Sequence, residues 1–469
     1  MKVIFSKYEL LTLALLILVC LAVYYPAFGH DFIYLWDDQW QVLTETTENG
    51  FTLDNLREMF LEPFHNQYFP VNQLLYMIVF ELSGGDYSPF VFHLFCILFH
   101  VLNTLLVYFL FKRMLRVSGR MDVSRIPMVS FITALLFAVH PLNVESVAWI
   151  SASKILVYAF FYLLALYTYV IYVEKRKIRY YLYSLFLLML SFGGKEQAVI
   201  LPVCLLVVDW LLQCNFKDVN LWIEKIPFFV LAFLLGLITI YCAHGGLSFG
   251  GGDGYPLWQR IIFGCYSFAE YLFKWFVPVK LLYLYPFPCL PGEALPNWML
   301  FYPILLAIIG VCFRRQLSAW PVAFGLMFFT VNLVMTLHVV PMPRYAIVAD
   351  RYIYLSSAGM SFIFGYYLVD VCIRWKKYKP WFIGLTVAYV LYLVVYANIR
   401  TRVWHDSETL KREVRDLLDQ RNGIDWEDEF EEGVPVDSIM KKKEIVGRDS
   451  LLVTGKDSLS LADEIKTEK

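Results

Sequence analysis

The chain has 469 residues, 59% of them hydrophobic and 17% charged, with a mean hydropathy of +0.56 and a formal net charge of −1. Soluble domains carry roughly 45–50% apolar and about 25% charged residues, so this composition excludes an ordinary soluble fold and points to a polytopic membrane protein. A near-neutral chain without a long basic tract excludes a nucleic-acid partner. Its nine cysteines, scattered through apolar runs without paired metal-ligand spacing, read as small buried side chains.

The first run, "LLTLALLILVCLAVYYPAF" (10–28), is long enough to cross a hydrocarbon core of about 30 Å. Tyr24, Tyr25 and Pro26 make a poor cleavage site, so the run reads as an uncleaved anchor. Further apolar runs fall near 90–111, 127–140, 155–173, 180–192, 197–213, 225–242, 262–285, 299–313, 318–337, 352–371 and 380–397. Lys and Arg cluster at "FKRMLRVSGR" (111–120), "EKRKIR" (174–179), "FRRQ" (313–316) and "RWKKYK" (374–379), which places those loops in the cytoplasm. The outer face then holds 29–89, 141–154, 193–196, 243–261 and 338–351. The 262–285 run carries two lysines and Pro278, and reads as broken or partly re-entrant.

The fold expected is therefore an all-α membrane bundle of about eleven transmembrane helices, with twelve as the alternative, and an enlarged first external loop over 29–89. Residues 1–398 form the membrane domain and 399–469 a polar, partly helical, external tail. Leu410, Val414, Leu417 and Leu418 recur at helical spacing and predict one amphipathic helix within 405–420. The "DWEDEFEEG" stretch (425–433) reads as solvated.

Ionisable residues collect on the predicted outer side. They are Asp37 and Asp38 in "LWDDQWQVL", Glu62 and His65 in "LEPFHNQYFP", and His140 and Glu145 in "HPLNVESVAWISASK". Lys195 and Glu196 follow in "GGKEQ", then His338, Arg344, Asp350 and Arg351 in "LHVVPMPRYAIVADRYIYL". Charged groups at a membrane boundary are costly unless paired or used. Carboxylates beside Arg, Lys and His can hold an anionic headgroup and take a proton from a nucleophile. Trp36, Trp40, Tyr68, Trp149, Tyr352 and Tyr354 lie in the same segments and read mostly as interface anchors. "GGLSFGGGDGYP" (245–256) is a glycine-rich outer loop without the context of a phosphate-binding motif.

Taken together, these segments resemble the polyprenyl-phosphate-sugar-dependent glycosyltransferases of the GT-C superfamily, and within it the transmembrane O-mannosyltransferases targeting cadherins and their bacterial relatives. The resemblance rests on "LWDDQWQVL" (35–43), the 67–103 stretch opening "QYFPVNQ", "HPLNVESVAWISASKILVYAFF" (140–161), "GGKEQAVILPVCLLVVDW" (193–210), "DRYIYLSSAG" (350–359) and "TRVWHDSETL" (401–410), in that order. Three departures stand out. Tyr68, Phe69 and Pro70 replace the family's "YRP"; "SASK" followed by Ile155 replaces "ERKD", keeping only Lys154; and the tetratricopeptide repeats of many relatives do not follow the "VWHDSETL" junction.

The resemblance implies a GT-C-like enzyme moving mannose or another hexose from a polyprenyl-phosphate donor to a protein or glycan hydroxyl at the external face. It implies a base role for Asp37 or Asp38, with Arg351, Lys195, Arg344 and Lys154 as phosphate contacts. Glu62, His65, His140, Glu145, Glu196, His338, Asp350 and Tyr352 are further site candidates. The adjoining carboxylates of Asp37 and Asp38 also suggest a divalent metal, Mg or Mn. Membrane lipids, the lipid-linked sugar, the acceptor and a partner protein for acceptor recognition are the expected partners. A bacterial inner membrane with a periplasmic active face is expected, with the endoplasmic reticulum as the alternative. The rival functions are a transporter or flippase of a lipid-linked sugar, and a non-catalytic membrane scaffold.

Overall fold

The computed structural model describes residues 7–34, 36–244, 254–283, 285–289, 291–339 and 346–422. Most of the glycine-rich loop, Arg344 and the acidic 425–433 stretch lie outside them.

An uninterrupted apolar run forms α1 (Lys7–Tyr24), and Pro26 then turns the chain through a 3-10 segment to Gly29. The first outer loop is built from short helices, α2 (Asp37–Gln41), α3 (Glu45–Glu48) and α4 (Leu53–Leu61). The hydroxyls of Thr44 and Thr52 cap α3 and α4 by accepting the amides of Thr47 and Asn55. Prolines in the first turn open α5 (Pro70–Leu82) and α6 (Pro89–Ser118), where a missing N–H costs nothing. The next helix, α7 (Ile126–Val139), bends by 56° into α8 (Val144–Ala148). Pro141 lies at the break, where it cannot continue the hydrogen-bond ladder.

Then come α9 (Ser153–Lys175), α10 (Ile178–Gly194), α11 (Leu201–Leu211), α12 (Val219–Ile223) and α13 (Ile226–His244). After α14 (Leu257–Phe276), the two-residue β1 (Tyr285–Pro286) pairs antiparallel with β2 (Ala346–Val348). Between those strands lie α15 (Phe301–Cys312), α16 (Arg314–Leu317) and α17 (Trp320–Leu333). The chain continues with α18 (Ser357–Arg374), α19 (Lys379–Thr401) and α20 (Ser407–Asn422).

The chain is an integral, polytopic membrane protein, but the expectation of eleven or twelve crossings is overturned. Among the described residues, five segments are long and apolar enough to span: Lys7–Gly29, Pro89–Ser118, Ile150–Lys175, Val219–Cys242 and Lys376–Trp404. The bent pair of α7 and α8 raises the number to six at most. Several apolar runs are cut short in the fold. With a rise of about 1.5 Å per residue, the 17, 11, 12 and 14 residues of α10, α11, α15 and α17 fall below the roughly 20 needed. The 262–285 run breaks at Phe276, and α14 carries Arg260, Glu270 and Lys274. At 352–371 a 3-10 turn occupies Asp350–Ile353, and α18 begins only at Ser357.

Packing is densest among α6, α7, α9, α10, α17 and α18. Gly325 of α17 and Gly359 of α18 meet backbone to backbone, and a Cβ on Gly359 would lie 2.4 Å from the Gly325 carbonyl oxygen. Small residues are what allow that approach between helices. The polar face of α14 is tied to the segment before the "DRY" turn. The Ser267 hydroxyl donates to the Ile347 carbonyl (2.9 Å), and the Tyr271 hydroxyl both donates to the Ala349 carbonyl and accepts its amide at 3.0 Å. This anchorage holds the "DRY" turn against α8, where the candidate site forms.

Candidate functional site

The adjacent aspartates at the start of α2 have opposite environments. Asp38 is fully buried. Its Oδ2 accepts the Ile33 amide at 2.8 Å, and its Oδ1 accepts both the Ser151 amide at 2.8 Å and the Ser151 hydroxyl. Ser151 lies in the 3-10 turn Ile150–Ala152 that leads into α9, so Asp38 clamps the outer loop to that turn. Burial lifts its carboxyl from 3.8 to about 6 against the pull of these hydrogen bonds. Asp37 is half-buried, and its carboxylate makes no hydrogen bond or ion pair among the described residues.

Three cations approach from other elements. Lys154, in the first turn of α9, donates to Gln41 Oε1 at 2.8 Å and to Gln67 Oε1 at 3.0 Å, and its ammonium sits 5.2 Å from the Phe69 ring centre. It lies within electrostatic reach of Asp37, Glu196, Lys195 and Arg351. Lys195, buried just after α10, lies 3.7 Å from Glu196. The Arg351 guanidinium pairs with the buried Glu145, whose other oxygen accepts the Arg351 amide at 2.8 Å. It also lies 4.9 Å from the ring centre of Tyr352 and 5.5 Å from that of Trp149. Burial disfavours the Arg351 charge, but Glu145 outweighs it and holds the group well above its ordinary value.

Thus Arg351 and Lys195 each have a carboxylate, whereas Lys154 is held by two neutral amide oxygens. Asp37 lies within electrostatic reach of Lys154, with its own acceptor capacity unspent. The arrangement can take an anion on the cations and a proton on Asp37.

The other predicted residues lie elsewhere. His140 is buried and neutral in role: its Nε2–H donates to the Trp275 carbonyl at 2.9 Å, its Nδ1 accepts the Leu142 amide at 3.3 Å, and the ring stacks on Trp275. Asp350 is buried and accepts the Tyr285 hydroxyl at 3.0 Å. Burial lifts it to about 7, with Lys274 pulling the other way. It belongs to a network with Lys274, whose ammonium is 3.6 Å from the Tyr285 ring centre and 3.3 Å from Glu270. His338 is buried and its Nε2–H donates to the Ile347 carbonyl at 2.8 Å, which ties it to β2. Glu62 and His65 are exposed beyond α4, where His65 packs edge-on against Phe64.

The metal expectation does not fit the residues present. Among the described residues no group of three or more His, Cys, Asp or Glu could hold an ion. Both oxygens of Asp38 are already occupied by N–H and O–H donors.

Sequence reasoning missed several supports. Ser151, Gln41 and Gln67 were not singled out, although each polar side chain lies within a quoted segment. Trp36 and Trp149 are not interface anchors, because both are buried. Tyr283 meets Trp36, Trp149 and Trp404 edge-on, and Trp404 stacks on Trp149 at 5.3 Å between ring centres. This aromatic box stands behind Arg351. Tyr354 is also buried, with its hydroxyl 2.8 Å from His100 Nδ1.

No family model matches the chain. In sequence it is similar to a protein O-mannosyl-transferase of Caenorhabditis elegans, 24% identical over 426 residues, which cover 84% of this chain and 56% of that protein. Over 105 residues it is 35% and 36% identical to protein O-mannosyl-transferase TMTC4 of Mus musculus and Homo sapiens, covering 22% of this chain and 14% of each. The chain thus spans about half the length of the nematode relative and a smaller part of the mammalian ones. In structure it resembles the crystal structure of the Archaeoglobus fulgidus oligosaccharyltransferase in complex with Zn and sulfate. That likeness has a TM-score of 0.46 at 13% identity, and covers 83% of this chain and 53% of the other.

Proposed function

We propose that the chain is a membrane glycosyltransferase that moves a hexose, mannose in the first instance, from a polyprenyl phosphate to a hydroxyl of a protein or glycan. The observation that carries the reading is the unspent carboxylate of Asp37 within electrostatic reach of Lys154, which in turn lies within reach of Lys195 and Arg351. The similarity to protein O-mannosyl-transferases supports it. The acceptor oxygen attacks the anomeric carbon and its proton passes to Asp37. The bond from that carbon to the phosphate oxygen breaks, its electron pair leaves with the phosphate, and the anomeric centre inverts. Arg351 spends one of its five N–H donors on Glu145 through its side chain, so others remain for phosphate oxygens. Lys195, together with Lys154 in its protonated form, adds positive charge where the leaving group gains negative charge. Asp38 acts through position, by holding the loop that presents Asp37.

The active face is the external or luminal one, opposite the Lys- and Arg-rich loops. The membrane proposed is a bacterial inner membrane with a periplasmic active face, with the endoplasmic reticulum as the alternative. The membrane part falls within residues 1–398, and the described part of the tail, 399–422, lies on the active side, where the Ser407 hydroxyl donates to the Tyr34 carbonyl at 2.8 Å.

The test is transfer from a radiolabelled polyprenyl-phosphate mannose by the full chain in liposomes, to a serine- and threonine-rich peptide and to a glycan acceptor. Labelled product is expected with the wild type, and Asp37→Asn should lower it by about 10²–10⁴-fold without loss of donor binding. Undiminished transfer by that variant would remove Asp37 as the base. Movement of donor across the bilayer without labelled product would establish the transporter reading instead.

A further inference from the structure

Away from the Asp37 cluster, α18 and α19 enclose a cavity of about 580 Å³. Its walls are apolar, with Phe364, Leu368 and Val371 on α18 and Phe382, Leu385 and Tyr389 on α19. None of Asp37, Lys154, Lys195 or Arg351 lines it. Only 11% of the α19 span is buried, so most of its apolar surface faces outward. The groove thus opens towards the hydrocarbon of the bilayer.

The two ends of the groove differ. At the turn joining the helices, Arg374, Lys376, Lys377 and Lys379 are all exposed, and Trp375 and Trp381 beside them are 59% and 74% exposed. The nearby acid Asp370 is already paired, at 2.8 Å from Arg374 and 3.7 Å from Arg125. Exposed cations flanked by tryptophans mark the level of lipid headgroups. Phe276 and Tyr389 line the other end, where the Tyr389 hydroxyl donates to the Phe276 carbonyl at 3.0 Å. From Lys379 to Tyr389 the helix rises about 15 Å. That equals about half of a 30 Å hydrocarbon core, the depth of one leaflet.

We infer that this groove binds one acyl chain of an anionic phospholipid from the leaflet that the basic 374–379 turn borders, with the headgroup on that turn. Charge selects the headgroup and the apolar walls take the chain. The inference stands independently of the glycosyltransferase reading.

The test is native mass spectrometry of the full chain released from nanodiscs of phosphatidylcholine and phosphatidylserine in equal parts. The wild type is expected to retain one phosphatidylserine in at least about tenfold preference over phosphatidylcholine. The triple variant Lys376→Gln, Lys377→Gln, Lys379→Gln should lose the preference while still retaining a lipid. Leu385→Trp, on the lipid-facing wall, should fill the groove and retain neither. Equal retention of the two lipids by the wild type would overturn the inference, as would unchanged retention by both variants. Recovery of a lipid-free dimer would assign the groove to a second copy of the chain, and recovery of a polyprenyl phosphate from membranes would assign it to the donor. Either result would overturn the proposal.

Discussion

Asp38→Ala separates the clamp role of Asp38 from a chemical one. The substitution leaves the Ile33 and Ser151 amides buried without an acceptor, while the Ser151 hydroxyl can turn elsewhere. Two orphaned buried N–H groups cost about 2–6 kcal/mol together. Against this, the wild-type carboxylate carries a burial cost: its pKa rises from 3.8 to about 6. At neutral pH that rise corresponds to roughly 3 kcal/mol, which the alanine variant no longer bears. The net effect at pH 7 therefore falls between a gain of about 1 and a loss of about 3 kcal/mol.

The sign of the pH dependence is the sharper test. Because the folded pKa lies above the unfolded one, the folded wild type takes up a proton first as pH falls from about 6 towards 4, and gains stability there. The deficit of Asp38→Ala should therefore widen by about 1 kcal/mol between pH 7 and pH 5. The assay is thermal unfolding of both proteins in the same detergent, followed by tryptophan fluorescence at the two pH values. A deficit that narrows on acidification would mean an ion-paired carboxylate with a depressed pKa, and would refute the reasoning. Full stability combined with lost transfer would place Asp38 in the chemistry instead.

Lys225→Met should cost about 3–5 kcal/mol, because it strands Asp209 without its counter-charge. The pair is 2.8 Å apart, each side chain is 1% exposed, and Asp209 also accepts the Tyr169 hydroxyl at 2.6 Å. The double variant with Asp209→Leu should recover most of that loss in thermal unfolding, and no recovery would argue against the buried pair. Glu145→Gln keeps an oxygen for the Arg351 amide but removes the opposing charge, and with Arg351 partly exposed the expected loss is about 1–2 kcal/mol. An unchanged Tm would mean that the pair contributes nothing to stability. Trp404→Ala empties a place that is 1% exposed in the aromatic box and should lower stability by about 3–5 kcal/mol. Limited proteolysis should then cut between α19 and α20 before any other site. Unaltered cleavage would show that the box does not hold the C-terminal helix.

The sequence by itself determined the membrane class, through the length and spacing of the apolar runs, and the helix starts at Pro70 and Pro89 and the bend at Pro141 follow locally from proline chemistry. Those features are local, because hydrophobic burial and the missing proline N–H act within one segment. It also named most of the polar groups that converge: Asp37, Lys154, Lys195, Glu196, Glu145 and Arg351. It could not determine how many apolar runs span, since a run and a straight helix are different things. The 3-10 turn at Asp350–Ile353 is held by Tyr271 and Glu145 from distant elements, whereas the stop at Phe276 is followed by Pro278, a local signal.

Nor could it distinguish Asp37 from Asp38. Successive residues on a helix point about 100° apart, and only the tertiary fold decides which direction meets donors. Here that partner is Ser151, 113 positions along the chain. The pairing of Glu145 with Arg351 spans 206 positions and is equally invisible in either segment alone. Local composition supplied the chemical groups. Long-range packing decided which carboxylate is buried as a clamp and which is left within electrostatic reach of Lys154.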